Sequence, residues 1–210
     1  MIIIIWLMLS SFLFCRALRY PQSDKPLMSQ CDSCKRKLHL LDKIPLLSYI
    51  VLRGRCRNCH TKISSLHFIA ELLGLLIGLV FTLFPHTIKA HLYVSILFTL
   101  FFTDWLHQLI PDRFHFFLIL LNIHAINKMT LFIMLLVSLV LLIFVKKGYF
   151  GMGDVKLMVS STLHLSITHV NCLVLIASSM TLVLMMITKK AQFPFGSSWA
   201  VSLILLNHLI

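Results

Sequence analysis

Apolar stretches follow one another along this chain with little between them, and any fold must first satisfy that pattern. They occupy MIIIIWLMLSSFLFC at the start and then roughly residues 66–84, 91–104, 114–126, 130–145, 155–168, 170–188 and 198–210, eight in all. A chain of 210 residues that is 59% hydrophobic and 12% charged is not an ordinary soluble domain. The pattern predicts an all-α integral membrane protein of about eight transmembrane helices. Several stretches fall short of the roughly 20 residues that a perpendicular span needs, so their ends reach into flanking polar residues or the bilayer thins there.

Charge sets the expected orientation. The first stretch lacks a basic region ahead of it and is followed by basic residues, which fits an uncleaved helix with its N-terminus outside. Segments 16–65, 105–113, 146–154 and 189–197 then face the cytoplasm and carry nearly all the lysines and arginines, Lys25 and Lys190 among them. Lys89 and Lys128 are left outside, and Lys156 lies just inside a span. The net charge of +12 therefore needs no nucleic acid to explain it, and membrane lipids with anionic headgroups on the inner leaflet are its natural counterpart. The expected division is a first helix at 1–18, a cytoplasmic segment at 19–65 and a membrane core at 66–210.

The cytoplasmic segment contains CDSCKRKLHLLDKIPLLSYIVLRGRCRNC, in which Cys31 and Cys34 form one CxxC pair and Cys56 and Cys59 another. Two such knuckles read as a tetrahedral four-thiolate zinc site with a structural role, because a closed Cys₄ shell leaves no open position. A reducing cytoplasm favours metal over disulfides. The surrounding lysines and arginines are expected to lower the thiol pKa values. Redox-active dithiols, or cysteines without a structural partner, are the alternatives. Cys15 and Cys172 lie in apolar runs and read as small buried residues.

Acidic residues are few. Asp24, Asp32 and Asp42 fall in the polar segment, and Glu71, Asp104, Asp112 and Asp154 lie in or beside the apolar stretches. In the orientation above, Asp104 ends an inward-running span and Asp154 begins an outward-running one, so both emerge at the cytoplasmic face. Carboxylates at the membrane edge are costly and point to function. Two apposed carboxylates that share a proton supply a general acid and a general base around one water, which is peptide-hydrolysis chemistry. An ion- or proton-coupled transporter, or simple helix caps, accounts for the same spacing, and Asp154 before VKLMVSS is well placed as a cap. Gly151 and Gly153 permit positive φ and close backbone approach. Lys156 either biases such a dyad toward ionisation or snorkels to headgroups.

Several motifs together resemble the prepilin leader peptidases, bifunctional membrane enzymes that process type IV prepilins and pseudopilins. GMGDVK is similar to the family's GxGDxK signature, DWLHQLIPD to its D-x-x-x-x-L-[IL]-P-D segment, and DKIPLLSYIVLRGRCRNC to the region joining its cysteine knuckles. HFIAELLG and FPFGSSWA match two further elements. The resemblance implies that Asp104 and Asp154 are the catalytic aspartates of a GxGD aspartic endopeptidase. It also implies cleavage of a short basic leader on the cytoplasmic side, typically after glycine, with Gly151, Gly153 and Lys156 in the active-site loop. Many members then methylate the new N-terminus from S-adenosylmethionine. Glu71 is the candidate for that half, with an interhelical hydrogen-bond partner as the alternative, and no glycine-rich adenosine-binding fingerprint is visible. Leu106 stands where many members carry a second acidic residue, and Met152 lies between the glycines. Presenilin-type or preflagellin-type GxGD proteases are the nearest rivals. The knuckles disfavour both, and no P-A-L triplet occurs.

Overall fold

The computed structural model describes residues 1–21, 30–31, 33–84, 86–189 and 193–209, with side chains to 206. Asp24, Lys25, Asp32 and Lys190 therefore lie outside the described residues. Each expected apolar stretch becomes a helix: α1 (Ile2–Leu18), α3 (Ser65–Leu83), α4 (Ile88–His107), α5 (Asp112–Asn122), α6 (Lys128–Lys146), α7 (Met152–Thr162), α8 (Ile167–Thr188) and α9 (Phe195–Leu209). A short α2 (Leu47–Val51) lies in the polar segment, and the only β pairing among the described residues is two isolated bridges.

Length separates these helices. By length and composition, α3, α6 and α8 can cross a bilayer, whereas α1 and α9 are apolar but shorter. Helices α5 and α7 have 11 residues each, about 16 Å of helix against a hydrocarbon core of about 30 Å. Of the short stretches anticipated from the sequence, 114–126 and 155–168 become short helices, whereas 91–104 and 130–145 extend into flanking residues as the 20-residue α4 and the 19-residue α6. Neither α5 nor α7 spans by its own length.

The chain divides into two compact units, Met1–Thr87 and the residues from Ile88 onward. In the first, α1 packs antiparallel on α3 through small residues. A Cβ at Gly78 would lie 3.0 Å from Ile3 Cα, and one at Gly74 would lie 1.9 Å from Ser10 Oγ. Ala70, Gly74 and Gly78 repeat every four residues on the buried stripe of α3, so the two backbones meet closely, as small-xxx-small helix pairs do. Trp6 stacks on Phe81 at 5.3 Å and Phe14 meets His67 edge-on at 4.9 Å, filling the groove to either side. Ser64 caps α3 by accepting the Leu66 N–H.

The second unit is a bundle of α4 to α9. Its core gathers Leu97, Leu100, Leu118, Leu157, Leu173, Trp199 and Leu203. Two of its buried polar side chains converge on Ser161: Trp199 Nε1 donates to Ser161 Oγ at 3.0 Å, and Tyr93 Oη donates to the Ser161 carbonyl at 3.0 Å. At one end, the Asn127 N–H at the start of α6 donates to Leu163 O (2.8 Å) beyond α7, and Thr130 Oγ1 donates to Leu165 O (2.7 Å). The opposite end collects the C-terminus of α4 and the N-termini of α5, α7 and α9, and the acidic residues cluster there.

Candidate active site

Asp104 sits in the last turn of α4, buried at 5% exposure. Its Oδ2 accepts the backbone N–H of Ser197, at the start of α9, at 2.6 Å. Asp154 is the third residue of α7, half-buried, with Gly151 as the N-cap. Its carboxylate lies against Gly151, with Oδ2 2.8 Å from where a Cβ would stand there, and close to the backbone N–H groups of Gly151 and Gly196. Adjacent amides of α9 therefore meet the two carboxylates, and these are close enough for the Asp154 charge to act on Asp104.

Glycines make this convergence possible by lacking a side chain. A Cβ at Gly153 would lie 3.1 Å from Ile110 Cβ, and one at Gly196 would lie 2.8 Å from Ile110 Cδ1 and 3.1 Å from Asp104 Oδ2. Ile110 is thus wedged between the first turns of α7 and α9. The positive φ anticipated for the GxGD glycines is not used: Gly151 has φ −79° and Gly153 is helical. Positive φ falls instead on Gly148, at +75° in the turn before α7. Close approach is the property that matters here.

Lys156 does not reach the carboxylate pair. Its Nζ donates to Asp112 Oδ1 at 2.7 Å, joining the exposed starts of α7 and α5. That ion pair holds the Asp112 carboxyl below the usual carboxylate range. Behind it, a cleft of about 430 Å³ is lined by Asp112, His115, Ser138, Lys156 and Ser160. Val155, Lys156, Val159 and Ser160 contribute its α7 wall, and helical periodicity puts that wall on the face turned away from Asp154. The cleft is therefore separate from the carboxylate pair.

In the first unit, Glu71 accepts Ser11 Oγ at Oε1 (2.8 Å) and the Leu46 N–H at Oε2 (2.7 Å). One carboxylate thus ties α1 to α3 and anchors Leu46, the N-cap of α2, whose φ is +61°. Both oxygens are engaged, as the interhelical-partner alternative requires.

Cys31, Cys34, Cys56 and Cys59 come together with their sulfurs within 4.8 Å of one another, an arrangement that could hold a metal ion. The two knuckles have the same build. Cys31 N–H donates to Arg36 O and Lys35 N–H to Cys31 O, just as Cys56 N–H donates to Thr61 O and His60 N–H to Cys56 O. Lys35 and His60 both take φ +56°. Bridges Gln30–Lys37 and Arg55–Lys62 close the two turns, and Arg57 pairs with Asp42 at 2.7 Å to tie the second turn to the linker. Cys31 and Cys59 sulfurs are 3.8 Å apart, the edge length of a tetrahedron with metal–sulfur bonds of about 2.3 Å. The Cys59 thiol is pulled down to about 6, first by the Thr61 hydroxyl and then by its backbone N–H. Hydrogen bonds, rather than the lysines and arginines expected from the sequence, cause that shift.

Sequence reasoning assigned no role to Gly196, Ser197, Ile110 or the Lys156–Asp112 ion pair. FPFGSSWA and LIPD contain Gly196, Ser197 and Ile110, but a backbone amide and an absent side chain leave no mark that singles them out.

Fold and site together are those of a helical membrane protein with two carboxylates paired at one end of its bundle. Residues 4–84 match the bacterial peptidase A24 N-terminal domain, and residues 91–186 match the type IV leader peptidase family. The prepilin leader peptidase/N-methyltransferase of Neisseria gonorrhoeae is 30% identical over 196 residues, covering 83% of this chain and 68% of that protein. The enzyme of that name from Vibrio cholerae is 36% identical over 88 residues, 40% of this chain and 35% of its own. That from Bacillus subtilis is 32% identical over 117 residues, 51% of this chain and 46% of its own. The matched stretch spans about a third of the length of the Vibrio and Aeromonas relatives. No solved structure matches. The chain belongs to the prepilin leader peptidase family.

Proposed function

We propose that this protein is a membrane aspartic endopeptidase that removes the leader from type IV prepilins or pseudopilins, with Asp104 and Asp154 as its catalytic pair. The convergence of two carboxylates on adjacent amides of α9 carries this reading. In the reaction, the ionised member takes a proton from water as the oxygen attacks the scissile carbonyl, and the protonated member donates to the carbonyl oxygen. Collapse of the tetrahedral diol breaks the C–N bond: the proton held by the first carboxyl passes to the departing amine, and the second carboxylate takes back a proton from a diol hydroxyl, restoring the pair. Both residues lie at the bundle end that the charge pattern assigns to the cytoplasm, where a basic leader ahead of an apolar pilin helix would be presented.

The four cysteines would hold a structural zinc ion, which needs thiolates and leaves no open position for chemistry. Replacing Cys31 and Cys56 with serine removes the bound metal if this is right. Retention of one zinc per chain by that variant refutes the site. The names of the relatives also favour N-methylation of the cleaved product from S-adenosylmethionine. Glu71→Gln, which keeps an acceptor and the shape of the site, tests that half: cleavage persists while the product loses its methyl group if Glu71 serves the transfer.

Co-expression with a prepilin-like substrate tests the peptidase reading. Asp104→Asn and Asp154→Asn each lower processing by a factor on the order of 10² to 10⁴, the usual contribution of a general acid or base. Unchanged processing in either variant would sink it.

A further inference from the structure

We propose that the first turn of α9 is the positioning element of the carboxylate pair: the Gly196 and Ser197 amides aim the two carboxylates, and the missing side chain of Gly196 sets their spacing. This inference rests on reading Asp104 and Asp154 as catalytic. It assigns a function to the FPFGSSWA segment, which lies about ninety residues from Asp104 in sequence.

The first amides of a helix have no intrahelical acceptor and must find one elsewhere. In α9, the Ser197 N–H finds Asp104 Oδ2 at 2.6 Å, and the neighbouring Gly196 N–H lies close to Asp154. The Ser197 hydroxyl is already used, donating to Pro194 O at 2.7 Å, so the residue acts on Asp104 through its backbone. Backbone donors have no rotamer to lose, and donors fixed before the reaction need no reorganisation during it. With Oδ2 committed to α9, the other Asp104 oxygen stays available for water or the scissile carbonyl.

Gly196 supplies the spacing. An added Cβ would meet Ile110 Cδ1 at 2.8 Å, Asp104 Oδ2 at 3.1 Å and Asp104 Cγ at 3.2 Å. Ile110 has little room to retreat toward α7, because even a single methyl carbon at Gly153 would lie only 3.1 Å from Ile110 Cβ. A methyl group at position 196 therefore pushes α9 or the Asp104 carboxylate, and the pair loses its alignment. Ile110 is the wedge, and the glycines on its two flanks are the fitted surfaces. Aspartates displaced by a fraction of an ångström still bind substrate, so the loss falls on the chemical step.

The test compares Ser197→Pro, Ser197→Ala, Gly196→Ala and Asp104→Asn in the purified full chain, with a synthetic peptide carrying a basic leader and an apolar helix start as substrate. Proline is tolerated in a first helical turn and removes the amide hydrogen; alanine keeps it. Ser197→Pro and Gly196→Ala each lower kcat by about tenfold or more, the cost of one hydrogen bond to a charged group, with KM within about threefold and a displaced pH profile. Ser197→Ala, which keeps the amide, lowers kcat less than Ser197→Pro does. The inference is overturned if Gly196→Ala and Ser197→Pro, both folded by thermal unfolding, keep wild-type kcat and pH profile while Asp104→Asn is inactive. If Ser197→Pro does not fold, Gly196→Ala alone decides. Activity in Asp104→Asn would instead overturn the catalytic reading beneath it.

Discussion

Asp154 is not the N-cap that its sequence context suggests, because α7 begins at Met152 with Gly151 as its N-cap; from the third helical position its carboxylate lies near the Gly151 N–H instead. The same carboxylate also faces the Gly196 N–H on another helix, which capping alone does not require. Both aspartates were legible in the sequence because a charge among apolar residues is conspicuous. Gly196 and Ser197 were not, because their contribution is a backbone amide and the lack of a side chain, and neither leaves a chemical mark in the sequence. Lys156 shows the opposite limit: its charge was visible, but its partner, Asp112, depends on how α5 meets α7. The pair is exposed, so Lys156→Met and Asp112→Asn should each change processing by only about threefold, and less at high salt. A hundredfold loss at Lys156 alone would mean that it serves the carboxylates directly.

Among the elements, the helix pair α1 and α3 is the most sharply specified, because glycine and serine face one another at its closest contact. Gly74→Leu forces that contact apart, with Ser10 and the Trp6 backbone in the way, and should destabilise the first unit by about 1–3 kcal/mol. Thermal unfolding of the detergent-solubilised protein measures this, and an unchanged midpoint would contradict the packing. Ala70, Gly74 and Gly78 are spaced to suggest such a face, but only the structure names α1 as its partner. The cysteine knuckles were legible from spacing, whereas the source of their acidity was not, since it depends on turn geometry. In metal-stripped protein at pH 7, a Cys59 thiol near 6 is mostly thiolate and partly accessible, while Cys56 is buried. Limited iodoacetamide should therefore alkylate Cys59 ahead of Cys56, and the reverse order by peptide mapping would contradict the Thr61 hydrogen bonds.

At the scale of the whole molecule, eight apolar stretches become eight helices, but two are half-length, a distinction hydropathy could not make because their apolar runs continue across the breaks at residues 123–127 and 163–166. Charge asymmetry and packing agree on which helix ends belong together: α4 ends where α5, α7 and α9 begin. Cysteines placed at Lys147 and at Lys128 should label from opposite sides of the membrane with an impermeant maleimide, and labelling from one side would contradict the orientation. In the proposed reaction, Asp104 and Asp154 together cut a leader from a pilin-like substrate. N-terminal mass analysis of that substrate after exposure to wild-type, Asp104→Asn and Asp154→Asn protein tests it most directly. Wild type alone should yield one new N-terminus, immediately after a glycine and ahead of the apolar helix. The same mature N-terminus produced by either aspartate variant would contradict it.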